Sequence, residues 1–214
     1  MGRKAMKWLL ALIILGAIGA GIWDQIPKKE ARILPRNMAN IGQNDNVELL
    51  RQLNADWTMP DGYAHEVFEV NGITMEWVQA RGDKPDKAVL QLHGGAYNRS
   101  LAVNGATYRR AAVKYAEISG AGVLTVDYRV APEHPYPAAL EDALLAYDWL
   151  LEQGYEPEDI IVAGDSAGGG LTLATALYLR DHDMPLPAAL ITMSAWTNLD
   201  YGRWVPPYEI GRAH

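Results

Sequence analysis

A serine set between two glycines, Gly164-Asp165-Ser166-Ala167-Gly168, is the stretch of this chain best suited to chemistry. A serine hydroxyl attacks a carbonyl when a base takes its proton and N–H donors receive the developing oxyanion. The spacing suits that task. A strand that turns abruptly into a helix leaves the serine Oγ alone at the edge of a sheet. The strained turn brings backbone against backbone, so the flanking positions carry almost no side chain. The neighbouring sequence agrees: apolar Ile160 to Ala163 precedes the turn, and a helical pattern with Leu171, Leu173 and Leu177 follows. The positive end of that helix would face the site. The plainer reading is a glycine-rich turn where a helix packs on a sheet. The context favours Ser166 as a nucleophile.

A second stretch, His93-Gly94-Gly95-Ala96, follows the apolar run Val89 to Leu92. Glycines let main-chain N–H groups approach an oxyanion without a Cβ in the way. Ala96 keeps its N–H but has fewer accessible backbone angles. The expected oxyanion donors are therefore Gly94, Gly95 and, after the nucleophile, Ala167. His93 reads as a support that locks this loop rather than as a base. After Ser166 the only histidines are His182, in a charged loop beyond the nucleophile's helix, and His214, the last residue.

These stretches need elements to hold them. Two alternating runs, His65 to Val70 and Ile73 to Ala80, flank Asn71-Gly72 and predict a hairpin. Apolar runs predict strands at Ala88 to Leu92, Gly122 to Val126, Asp159 to Ala163 and Ala188 to Met193. Helical patterns separate them, from Thr107 to Ile118, Pro137 to Leu151 and Ala167 to Arg180. Strands alternating with helices imply a mostly parallel sheet with helices on both faces. With 214 residues the chain fits one domain with a sizeable core. Its net charge of −7 argues against a nucleic-acid partner. It has no cysteine, hence no disulfide and no thiolate metal site.

Three separate motifs in order give the chain a family resemblance. They are Gln91-Leu92-His93-Gly94-Gly95, Asp127-Tyr128-Arg129-Val130-Ala131-Pro132-Glu133 and Gly164-Asp165-Ser166-Ala167-Gly168-Gly169-Gly170. Pro137 to Asp142 and Ser194-Ala195-Trp196-Thr197 fit the same pattern. Together they resemble the hormone-sensitive-lipase-like, or GDXG, family of α/β-hydrolases. The resemblance implies hydrolysis of small acyl esters or lactones, with no metal and no cofactor. It implies a cap over the acyl pocket that includes a helix near Val47 to Trp57. It also implies that Asp127, Arg129 and Glu133 brace the oxyanion loop from behind; a set of weak surface ion pairs is the simpler alternative. In this fold the acid and the base follow the nucleophile in the chain, as Asp or Glu and then His.

Four segments follow from this reading. Residues 1–26 form a membrane anchor or a signal peptide: Arg3, Lys4 and Lys7 precede an apolar run from Trp8 to Trp23. Either role carries the domain out of the cytoplasm, with the anchor holding it on the membrane. Residues 27–60 are a linker and cap helix, and 61–200 a partial hydrolase core that is incomplete at the C-terminus. Residues 201–214 depart from the family, and Glu209 to His214 reads as a translated sequencing adapter. The expected protein is a serine ester hydrolase acting through an acyl-enzyme, here a truncated and inactive piece without triad acid and histidine. The alternative is a relative that binds a small molecule without cleaving it.

Overall fold

A computed structural model describes residues 57–199. The expected anchor, nearly all of the linker and cap helix, and the tail from residue 201 lie outside the described residues. Among the described residues no helix is long and apolar enough to cross a membrane.

Among the described residues six strands form one sheet: β1 (Tyr63–Val70), β2 (Ile73–Ala80), β3 (Ala88–Leu92), β4 (Gly122–Val126), β5 (Ile160–Asp165) and β6 (Ala189–Met193). Their order is β1-β2-β4-β3-β5-β6. The first two pair antiparallel through Asn71 and Gly72, both at positive φ, as a two-residue hairpin turn requires. β2 runs antiparallel to β4, and β4, β3, β5 and β6 are parallel. The sheet is thus mostly parallel, as expected from the sequence.

Among the described residues three α-helices cover the sheet: α1 (Leu101–Ser119), α2 (Ala138–Glu152) and α3 (Ser166–Asp181). Alternate residues of each buried strand point to opposite faces. Leu90, Leu92, Leu124, Val126, Ile160 and Val162 pack with Ala143, Tyr147 and Leu150 of α2 and Leu171 and Leu179 of α3. Val89, Val123 and Ala163 pack with Ala112, Val113, Tyr115 and Ala116 of α1. One helix on one face and two on the other therefore cover a double-sided core.

Three of the boundaries that differ from the pattern reading bear on the site. α1 begins at Leu101 rather than Thr107, with a kink where Asn104 is non-helical. Pro137 sits at the N-cap of α2, not inside its first turn. β5 continues through Gly164 to Asp165, so no loop separates it from α3.

A half-buried ion pair ties α1 to β2. Arg109 donates to both carboxylate oxygens of Glu76, at 2.6 and 2.7 Å, and His65 Nε2 lies 3.0 Å from the same carboxylate. Glu76 is 4% exposed, so the bidentate partner is what makes its charge tolerable.

Gly122 opens β4 under the ring of Trp77, where a Cβ would lie 1.9 Å from Cζ2. Gly122→Ala is therefore expected to destabilise the domain by about 1–3 kcal/mol through overpacking. Nothing lies within 4 Å of a Cβ at Gly62, so Gly62→Ala should stay near the parent. Urea unfolding midpoints of the two variants compare them directly.

Candidate active site

Parallel register brings the ends of four strands to one edge. Leu92 is level with Val126 and Gly164, and Asp165 with Met193. The chain segments that leave this edge are His93 to Tyr97, Asp127 to Ala131, the turn at Ser166, and Ser194 to Trp196. Ligands of open α/β sheets bind outside this carboxyl end.

Ser166 is the first residue of α3 and has φ 50°. Two close approaches force the turn. A Cβ on Gly164 would lie 2.3 Å from Gly168 O, and one on Gly168 would lie 2.1 Å from Leu92 O. Only glycines let α3 start this close to β5 and β3. The Ser166 carbonyl accepts the Trp196 N–H at 2.7 Å, which fixes the turn to the segment after β6. Asp165 holds the N-cap position but makes no side-chain bond to the helix, so the first amides of α3 stay uncapped.

The Asp165 carboxylate turns instead to the loop after β3. Tyr108 Oη donates to Asp165 Oδ1 at 2.9 Å, and Gly94 N donates to Tyr108 Oη at 2.6 Å and to Asp165 Oδ1 at 3.2 Å. The Gly94 N–H, read as an oxyanion donor, is already committed to the phenol and the carboxylate. Gly95 has φ 133°, and Ala96 and Tyr97 each have φ 56°, so the turn continues through Ala96 despite its Cβ. Gly95 and Ala96 lie on this turn, and Ala167, expected beside Gly94 and Gly95 as a donor, follows Ser166 in α3. Sequence reasoning missed Tyr108 altogether: it lies 14 residues from Gly94 in the middle of a helix, and no local pattern marks it.

His93 is fully buried. Its ring stacks on Tyr128 with centroids 4.0 Å apart and planes 3° from parallel. Nδ1 donates to the Gly94 carbonyl at 2.9 Å, and Tyr128 Oη donates to the His93 carbonyl at 2.5 Å. Nε2 lies 3.8 Å from Asp127 Oδ1. Burial lowers its pKa to about 4, with the Gly94 carbonyl opposing the shift. The imidazole is neutral at ordinary pH and is built into the loop's support.

The Asp127 to Glu133 segment divides its work. Asp127 accepts the Leu101 N–H at 2.7 Å and faces His93. Arg129, expected behind the oxyanion loop, instead pairs with α2: Nη2 reaches Asp142 at 2.7 Å and Glu141 at 2.9 Å. Glu133 is exposed. His182 closes the far end of α3, where it donates to the Tyr178 carbonyl at 2.8 Å and stacks on that ring. At 1.5 Å per residue it stands about 24 Å along the helix from Ser166. His214 lies outside the described residues. A cavity of about 500 Å³ opens beside Ser166, between Gln91, Tyr108, Tyr115, Asp165 and Met193. Among the described residues no three His, Asp or Glu side chains converge as metal ligands.

The depressed pKa of His93 has a measurable sign. The unfolded chain takes up this proton near pH 6.5 and the folded one only near pH 4. His93 should therefore remove stability as pH falls through that window, by on the order of 3 kcal/mol in all. Buried carboxyls such as Asp165 and Asp127 are shifted upward and act in the opposite direction. The difference in unfolding free energy between the parent and His93→Gln, followed from pH 7 to 4, isolates the histidine. A difference that does not change with pH would contradict a buried neutral imidazole.

Comparison with known proteins places this geometry in a family. A family model described as alpha/beta hydrolase fold matches residues 89–209. An acetyl-hydrolase of Streptomyces hygroscopicus is 44% identical over 135 residues, which are 63% of this chain and 44% of that protein. A putative acetyl-hydrolase of Mycobacterium tuberculosis, LipR, is 38% identical over 151 residues, 71% of this chain and 48% of that protein. The chain thus spans about half the length of these relatives. The crystal structure of an esterase from the bacterial hormone-sensitive lipase family matches 87% of this chain and 57% of its own, with a TM-score of 0.63 at 36% identity. The sequence match, the sheet order and the serine turn agree, and the chain belongs to the α/β-hydrolase fold family, in its hormone-sensitive-lipase-like branch.

Proposed function

We propose that this chain carries the nucleophile and oxyanion loop of a serine hydrolase that cleaves carboxylic esters through an acyl-enzyme on Ser166. One observation carries the reading. Ser166 sits at φ 50° on the strand–helix turn, ahead of a helix whose first amides have no side-chain cap. A hydroxyl so placed is lifted clear of its neighbours and sits at the positive end of α3.

In this proposal Ser166 Oγ attacks the acyl carbon and a base takes its proton. The carbonyl oxygen becomes an oxyanion and is received by the N–H groups of Gly95, Ala96 and Ala167. The intermediate collapses, the C–O bond to the alcohol breaks, and the alkoxide leaves with the proton held by the base. Water then repeats the sequence on the acyl-enzyme and frees the acid. The base and its orienting acid belong outside residues 57–199, since His93 is buried and held and His182 is remote. Relatives named acetyl-hydrolase support a short acyl group. Lactones fit the same chemistry. The basic and apolar residues 1–26 support a location on the membrane, outside the cytoplasm.

The full reading frame that carries this sequence is expected to hydrolyse p-nitrophenyl acetate. Ser166→Ala should lower kcat by about 10,000-fold or more while the protein stays folded. A fluorophosphonate should label the parent at Ser166 and spare the variant. A folded parent that neither turns over esters nor takes the label would sink the proposal in favour of a non-catalytic binding protein.

A further inference from the structure

Three heteroatoms from three separate elements meet behind the oxyanion loop. Gly94 N, Tyr108 Oη and Asp165 Oδ1 form a triangle with sides of 2.6, 2.9 and 3.2 Å. The proton count fixes the direction of each bond. An ionised Asp165 can only accept, and a phenol has one proton, which therefore goes to Asp165. The phenol's lone pairs remain for the Gly94 N–H. Tyr108 is itself fixed: its carbonyl accepts from Gln91 Nε2 at 3.0 Å, and its ring lies 5.6 Å from that of His93. There is little slack, since a Cβ on Gly94 would lie 2.7 Å from Asp165 Oδ2 and 3.1 Å from Tyr108 Oη.

We propose that Tyr108 is a positioning residue: by holding the Gly94 amide it turns the next two amides, those of Gly95 and Ala96, toward the oxyanion formed on Ser166. The inference rests on the ester-hydrolase reading and adds to it a group that acts through the loop rather than on the reacting atoms. Without the phenol, Gly94 keeps only the longer contact to Asp165. The loop can then rock, and donors that must be aimed before reaction lose their aim. Ground-state binding depends much less on that aim, so the loss falls on kcat.

Charge around Asp165 supplies a second signature. It is faced by Tyr108 and Tyr115 of α1, by Tyr128 after β4, and by the Gly94 amide. Burial raises its carboxyl above the ordinary value, and the Tyr108 hydroxyl lowers it again. Removing the hydroxyl raises it further, so the ionised form that holds the loop is lost at a higher pH.

The test uses Tyr108→Phe in the full reading frame, which keeps the ring and removes only the oxygen. With p-nitrophenyl acetate, kcat should fall roughly 10- to 100-fold, less than the loss of an oxyanion donor itself. KM should stay within about twofold, because uniform binding is untouched. The acid limb of the kcat profile should move to higher pH. Asp165→Asn provides a second variant, and the double variant should lose less than the product of the two single losses. An active parent whose kcat is unchanged in Tyr108→Phe overturns this inference alone, as does a variant in which kcat, KM and Tm change together. A parent with no turnover overturns the ester-hydrolase reading as well.

Discussion

Backbone packed directly on backbone at the start of α3 is the constraint on which the site depends. Gly168 lies so close to the end of β3 that a methyl group would overlap the Leu92 carbonyl, and Gly164 stands in the same relation to Gly168. Glycines weaken a helix by roughly 1 kcal/mol each relative to alanine. Gly168, Gly169 and Gly170 fall in the first turns of α3, where propensity alone would not begin a helix. The helix starts there because its docking against two strands compensates. That docking carries Ser166 to the sheet edge and leaves Asp165 facing the oxyanion loop instead of capping its own helix.

From the neighbouring strand, three consecutive residues hold three different elements. Asp127 accepts the first amide of α1, Tyr128 stacks on His93 and donates to its carbonyl, and Arg129 grips Asp142 of α2. The alternation of side chains along an extended chain is what lets adjacent residues reach opposite faces. The resemblance implies that Asp127, Arg129 and Glu133 brace the oxyanion loop. Of these three Asp127 faces that loop, joined there by Tyr128 and by the Ala131 amide on the Tyr97 carbonyl, whereas Arg129 serves the packing of α2 and Glu133 is exposed. A neutral His93 suits this bracket, because a charged imidazole at full burial would be held by one carboxylate across 3.8 Å.

What was legible in the sequence had a local cause. Asn71-Gly72 fixes its hairpin, the apolar runs fix the central strands, and the glycines around Ser166 fix the turn. What was not legible had a distant one. Asn104 and Gly105 look like a loop, yet α1 begins before them, because its first amide is satisfied by Asp127, 26 residues away in the chain. Ser100, the natural cap by residue type, makes no capping bond. The partners of the Gly94 amide are hidden from the sequence for the same reason. A glycine beside a histidine announces a loop that can present amides, but which amides are free is decided by Tyr108 and by Asp165, 71 residues away. A Cβ disfavours the left-handed region at Ala96, and the fold holds it there all the same.

That last point extends to the whole edge. Among the described residues, six non-glycine positions have positive φ, and four of them, Ala96, Tyr97, Ser166 and Ser194, lie at the carboxyl edge of the parallel strands. Each left-handed residue costs on the order of 1–2 kcal/mol. Four together approach the net stability of an ordinary domain, about 5–15 kcal/mol. Such a set persists only where the surroundings over-determine it. Here the Tyr97 carbonyl accepts from Ala131, the Ser166 carbonyl from Trp196, and the Gly94 amide is held by two acceptors. The same bonds that make the strained backbone tolerable keep it from relaxing before a substrate arrives. An edge built this way has its donors aimed in advance, which is the condition under which main-chain amides stabilise an oxyanion most strongly.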